Sequence, residues 1–188
     1  MFKQIRSLMS DGDLQLEGPT VEIDETYVGG VRKYGTGRPM RGDKKKTPVV
    51  GIVQRGGKVV ARVIPDVRGS NLLGMVRKHV VPGSIIYSDE LKGYDGISTM
   101  LTREGKSARY RHLRIKHSDR VYVRGHIHTN SVEGFWSLIK RGIGGVYHSV
   151  SPKYLQTYLD EYSFRYNRRH EGNQQFRAIL SRVSEKAS

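Results

Sequence analysis

The chain has 188 residues, 36% of them hydrophobic, and no cysteine; this suits one globular domain burying roughly 70% of its unfolded surface and excludes disulfides, thiol catalysis and cysteine-ligated zinc. Lys and Arg number 33 against 18 Asp and Glu, a formal net charge of +15, and on a folded surface that field points to a polyanion, nucleic acid before a membrane. No apolar run in the sequence nears the ~18 residues of a membrane span and no signal-peptide core opens it, so the expectation is a cytoplasmic protein without membrane contact.

Phe2, Ile5, Leu8 and Met9 carry a weak helical pattern ahead of the polar break Ser10-Asp11-Gly12-Asp13. Residues 1–18 hold no complete DNA-reading module and are read as a short lead-in or remnant. Residues 21–30 then alternate like a strand, ended by Gly29-Gly30. Period two puts Val21, Ile23 and Tyr27 on one face and Glu22, Asp24 and Thr26 on the other. Two readings stay open: an edge strand with its polar face in water, or a central strand that presents Asp24 to a metal ion. Arg32 to Lys46 is rich in Gly, Lys and Arg; its Lys44-Lys45-Lys46 run fits a solvated hairpin tip or a phosphate contact.

Pro48–Gln54 and Lys58–Ile64 read as strands joined by the hairpin Arg55-Gly56-Gly57. The first three strands therefore form an antiparallel meander. Ser70 or Asn71 can cap a helix running to about Val80, with Leu72, Leu73, Val76 and Val80 as its apolar stripe. Ser84 to Tyr87 is a short apolar strand with Asp89 just past its end. Asp89 suits either a helix cap or an active-site carboxylate. Glu90 to Gly105 reads as one helix or two short ones, and Arg109 to Ile115 as a fifth strand. His117, His126 and His128 follow, at spacings that match no zinc site.

From Asn130 the period is helical, with Val132, Phe135, Trp136 and Ile139 on one buried face and Gly142 to Gly145 as its stop. Glu133 and Lys140, two turns apart, share a line beside that stripe. Asn130 and Glu133 also fit a capping box, which would explain Glu133 without chemistry. Ser151-Pro152 starts a further helix through Leu155, Leu159, Tyr162 and Tyr166, in which Glu161 and Arg165 make an i,i+4 pair. A last helix runs from Asn173 to about Val183.

Three antiparallel strands, a helix, a strand, helical sequence, a strand and a helix is the order of ribonuclease-H-like nucleases and integrases. The fold expected is α/β: a mixed five-stranded ribonuclease-H-like sheet flanked by helices, with C-terminal helices. Residues 19–150 would form the core and residues 151–188 a helical extension of the same domain. In that architecture Asp24, Asp89 and Glu133 take places where three carboxylates can hold two Mg²⁺ ions about 4 Å apart, using hard oxygen ligands.

The run from Val21 to Gly30, Tyr87-Ser88-Asp89-Glu90 with Tyr94, His117-Ser118, and above all His128-Thr129-Asn130-Ser131-Val132-Glu133-Gly134-Phe135-Trp136 continuing to Lys140-Arg141 resemble the ISXO-like transposases of bacterial insertion sequences. Gly145 to His148 and Phe164 to Arg169 extend the resemblance, which covers about Thr20 to Arg169. It implies a DDE-type enzyme that cuts insertion-sequence ends and joins them to target DNA, using Mg²⁺, with Mn²⁺ as a substitute. Asp24, Asp89 and Glu133 match the metal-binding acids, and Lys140 the basic residue placed to touch phosphate near the cut. Lys44, Lys45, Lys46, His117, Asn130, Lys140 and Arg141 are the expected DNA contacts. The implied partners are double-stranded DNA, as insertion-sequence ends and target, and further copies of the chain, in the bacterial nucleoid. The family generally carries an upstream cysteine zinc ribbon that this sequence lacks, so a truncated copy or a fragment of a split gene is expected. The competing readings are a non-catalytic DNA-binding remnant that competes or co-assembles with a full-length transposase, and a basic RNA-binding protein that would leave the acids unexplained.

Overall fold

The structure is a computed structural model that describes residues 2–29, 46–115, 129–148, 150–172 and 174–187. Its centre is a five-stranded sheet built from β1 (Thr20–Val28), β2 (Thr47–Gln54), β3 (Val59–Val63), β4 (Ile85–Ser88) and β5 (Arg111–Arg114), in the order β3-β2-β1-β4-β5. β1, β2 and β3 are antiparallel neighbours, while β4 runs parallel to β1 and β5 parallel to β4. This mixed order, with helices on both faces, is the ribonuclease-H-like fold. The edge-strand reading of β1 is overturned: both of its backbone edges are paired, and Val21 and Ile23 are fully buried.

The alternation read from β1 sorts the core into two clusters. Val21 and Ile23 face α2 (Gly69–His79) and pack with Ile52, Leu72, Val76, Ile86 and Tyr94. On the other face, α3 (Asn130–Arg141) and α4 (Pro152–Asn167) bring Phe135, Trp136, Ile139, Leu155 and Leu159 against Val49, Val53 and Ala61 of the sheet. Each fully buried aliphatic side chain contributes about 1.5–3 kcal/mol relative to exposure, so both clusters are needed to hold a sheet covered on two sides.

Some local expectations gave way to tertiary contacts. α2 starts at Gly69 behind Arg68, and Asn71 uses its amide on Asp66 instead of capping. Residues 90–105 form two 3-10 turns, Lys92–Tyr94 and Ile97–Thr99; Gly93 and Gly96 weaken a continuous helix there. β5 is shorter than expected because Arg109 has φ 53, outside strand geometry. After α3 the chain does not stop but continues as a wide turn, Gly142–Val146. A Cβ on Gly142 would lie 1.5 Å from the Tyr162 hydroxyl, so only glycine lets α3 and α4 close here.

The N-terminal α1 (Phe2–Ser7) and the last helix α5 (Gln174–Ala187) are tied down by charge. Arg6 meets Glu161 at 2.7 Å, and Asp11 accepts hydrogen bonds from Arg168 and Arg182. Among the described residues no helix is long and apolar enough to cross a membrane.

Candidate active site

β1 and β4 pair only through Thr20↔Ile85, Val21↔Ile86 and Glu22↔Tyr87. Continued by two residues, that parallel register brings Asp89 level with Asp24, just where β4 has ended and the strands part. A carboxylate at the C-terminal end of such a strand faces an open crevice instead of a ladder partner. Asp89 is held there by the Leu91 N–H, which donates to it at 3.0 Å.

Carboxylate oxygens of Asp24, Glu25 and Asp89 lie within 4.8 Å of one another. Glu25 belongs to the opposite strand face from Asp24, and Tyr94, itself fully buried, donates its hydroxyl to Glu25 at 2.7 Å. Burial pushes the Asp24 carboxyl up to about 7, and the neighbouring charges of Glu25 and Asp89 push the same way, against the hydrogen bond from Trp136. Burial also raises Glu25, with Asp89 adding to it and Tyr94 opposing. Burial beside Glu25 raises the Tyr94 phenol, so it stays a hydrogen-bond donor. Among the described residues no Lys or Arg pairs with these three acids. Crowded carboxylates with no cationic partner fit a divalent ion that takes oxygen ligands.

Helix α3 lies over this site. Its Trp136 N–H donates to Asp24 at 2.9 Å. The indole can reach because Asp24 pairs with Gly51 on β2, where a Cβ would stand 2.6 Å from the Trp136 ring. The start of α3 is held by Glu22, fully buried, which accepts the N–H groups of Ser131 and Val132 at 2.8 and 3.1 Å. The capping box is therefore absent: Thr129 occupies the N-cap position without a side-chain cap, and its hydroxyl donates to Glu133 at 2.9 Å.

Asp24 and Asp89 thus come together, while Glu133 stays outside their group as an exposed residue one turn before Trp136. Lys140, one turn after Trp136, is exposed, as are Asn130, Arg141 and Lys46. Lys44, Lys45 and His117 lie outside the described residues. Glu22, Glu25 and the indole of Trp136 were not singled out from the sequence. Glu22 could have been found only under the central-strand reading of β1, where a charged residue must find a buried partner.

Residues 15–167 match the family model of the ISXO2-like transposase domain. An uncharacterized transposase-like protein of Haemophilus influenzae is 29% identical over 110 residues, which cover 58% of this chain and 81% of that protein. Among solved structures, the catalytic core domain of BIV integrase aligns with TM-score 0.48 and 13% identity over 91% of this chain and 99% of that one. The Mos1 transposase paired-end complex aligns with TM-score 0.37 and 12% identity, covering 87% of this chain and 55% of that one. The Drosophila P element transposase strand transfer complex gives TM-score 0.28 and 12% identity, over 94% and 51%. The chain thus spans about half the length of these last two.

Proposed function

The chain belongs to the ISXO2-like transposase domain family, and on that premise we propose that it is the catalytic core of a DDE-type transposase, cleaving DNA strands at insertion-sequence ends and transferring them to target DNA. The observation that carries this reading is the meeting of Asp24, Glu25 and Asp89 at the parting of β1 and β4, in a chain of net charge +15.

Asp24 and Asp89 would hold Mg²⁺, or Mn²⁺ in its place, with Glu25 beside them and Glu133 of α3 as the further acid ligand. The bound ion would supply Lewis-acid polarisation of the phosphodiester and an activated attacking oxygen. The remaining work falls to the chain itself. Trp136 fixes the Asp24 carboxylate, the Leu91 N–H fixes Asp89, and Tyr94 turns Glu25 toward both. Lys140 and Arg141, exposed at the end of α3, would take the phosphates flanking the cut and hold the strand over the acids. Leu155 and Leu159 share a buried cluster with Trp136, which supports counting residues 151–188 with the core. We place the protein on bacterial nucleoid DNA, as more than one copy per pair of ends.

A second reading, a DNA-binding chain without catalysis, draws on Glu133, which stands outside the acid group and is bound by Thr129. Purified protein mixed with labelled insertion-sequence ends and Mg²⁺ or Mn²⁺ decides between the two. Metal-dependent nicking and joining, lost in Asp24→Asn, is the expected result; binding without nicking in either metal favours the second reading.

A further inference from the structure

Glu22 is a carboxylate with no exposed surface in the central strand of the sheet, and it lies outside the acid group. One of its oxygens accepts the Ser131 and Val132 N–H groups, and the other accepts the Ser131 hydroxyl at 3.1 Å and Arg55 Nε at 2.7 Å. Helix N-termini leave N–H groups without partners and favour a negative charge. The cap of α3 is thus supplied by β1, 109 residues earlier in the chain.

Two residues on, Asp24 holds the same helix through Trp136. Positions i and i+2 of a strand stand about 6.7 Å apart. From Ser131 and Val132 to Trp136, a helix rises about 6–7.5 Å. The two spacings agree, so consecutive side chains on one face of β1 grip α3 at two points. One contact would let the helix slide or roll; two fix its register. Arg55 also stacks on the ring of Tyr87, 4.3 Å from its centroid, and so links this clamp to β4, the strand that leads to Asp89.

We infer that Glu22 is a positioning residue that sets the register of α3 on β1, and through it the placement of Trp136, Glu133 and Lys140 relative to Asp24. For its effect on cleavage the inference rests on the function proposed above; for the register itself it does not. Arg55 compensates the buried charge, so that the clamp adds none to the acid group.

Trp136 is the chain's sole tryptophan, and its emission reports the contact with Asp24 directly. Glu22→Gln sets an amide NH₂ against either the Arg55 or the helix donors. It should shift Trp136 emission in protein without metal or DNA. At saturating DNA, single-turnover cleavage should fall at least tenfold while the DNA Kd changes less than threefold. Arg55→Lys should give the same pattern, reduced to about threefold in rate. Should Glu22→Gln not fold by circular dichroism, Ser131→Ala, which removes only the hydroxyl contact, should show the same shift in smaller size. A purely structural role would lower the melting temperature but leave emission and rate per folded molecule alone. Wild-type emission and rate in every variant that folds overturns the inference. If wild type itself does not cleave while Glu22→Gln moves the emission, the catalytic reading fails and the register assignment stands.

Discussion

The indole N–H of Trp136 donates to Asp24 across 2.9 Å, from a helix to the strand beneath it. Above pH 7, where the raised Asp24 carboxyl is ionised, a hydrogen bond to a charged carboxylate is worth about 1.5–3 kcal/mol. Trp136→Phe keeps an aromatic ring in the core but frees Asp24 to rotate. Denaturant unfolding should show a loss of about 2 kcal/mol, and single-turnover cleavage a fall of tenfold or more. A rate within twofold of wild type would mean that Asp24 needs no such support.

Gly51→Ala tests the same contact from the other strand. Its methyl would stand 2.6 Å from the indole carbon Cζ2, with rigid ring atoms as the obstacle. Trp136 must shift, and overpacking of this kind costs about 1–3 kcal/mol. Altered emission with a lowered unfolding midpoint is expected, whereas Gly74→Ala, with open space at its Cβ inside α2, should leave the emission unchanged and raise the midpoint, since Ala favours a helix interior over Gly.

Replacing either Asp24 or Asp89 by its amide should nearly abolish cleavage and joining while duplex binding holds or strengthens, because a negative ligand is lost and the phosphate contacts remain. Metal-free stability should hold or rise, since neutralising one of the crowded acids relieves repulsion. Tyr94→Phe removes only the donor to Glu25. Calorimetric titration with Mn²⁺ should show severalfold weaker binding for it, and unchanged binding would take Glu25 out of the metal's reach.

Lys140→Ala should weaken binding to cleavage-site DNA and reduce the magnitude of the salt slope by about one unit, as for one lost phosphate contact. Cleavage should fall less than for the acids. The comparison is Lys106→Ala, an exposed lysine on a loop far along the chain; equal behaviour of the two would make Lys140 part of the general basic surface.

Asp11 governs stability at low pH. Burial acts to raise its carboxyl, but the hydrogen bonds from Arg182 and Arg168 outweigh this and hold it below its ordinary value of 3.8. A depressed pKa contributes stability above the unfolded value and loses it as pH falls through the folded one. The stability difference between wild type and Asp11→Asn should therefore be constant from about pH 8 to pH 5 and shrink below about pH 4. A difference that persists at pH 2 would assign the effect to packing.

Asp24 and Asp89 were legible because strand alternation and a strand end are local patterns. Glu25 was not, since the same alternation sends it to the opposite face; it reaches the group only because β1 and β4 part after Glu22↔Tyr87. Whether β1 lay at an edge or in the centre was equally hidden, because a strand's neighbours are chosen by segments far away in the chain. Glu22 resembled a polar surface residue for that reason. The capping box at Asn130 was a sound local pattern that lost to a distant carboxylate already aimed at the helix amides.

The order in which these contacts can form follows from how much chain each must close. β2 and β3 are joined by a tight hairpin and β1 pairs with β2 directly, whereas the Glu22 contact to α3 spans 109 residues. Loop closure favours the meander as the early structure and leaves the seating of α3 for last. Interactions formed after the rate-limiting step act on the escape from the native state, so loosening the Glu22 grip should speed unfolding and leave refolding nearly unchanged. The acids would then meet on a sheet already built, and the helix that lies over them would be the piece that opens first.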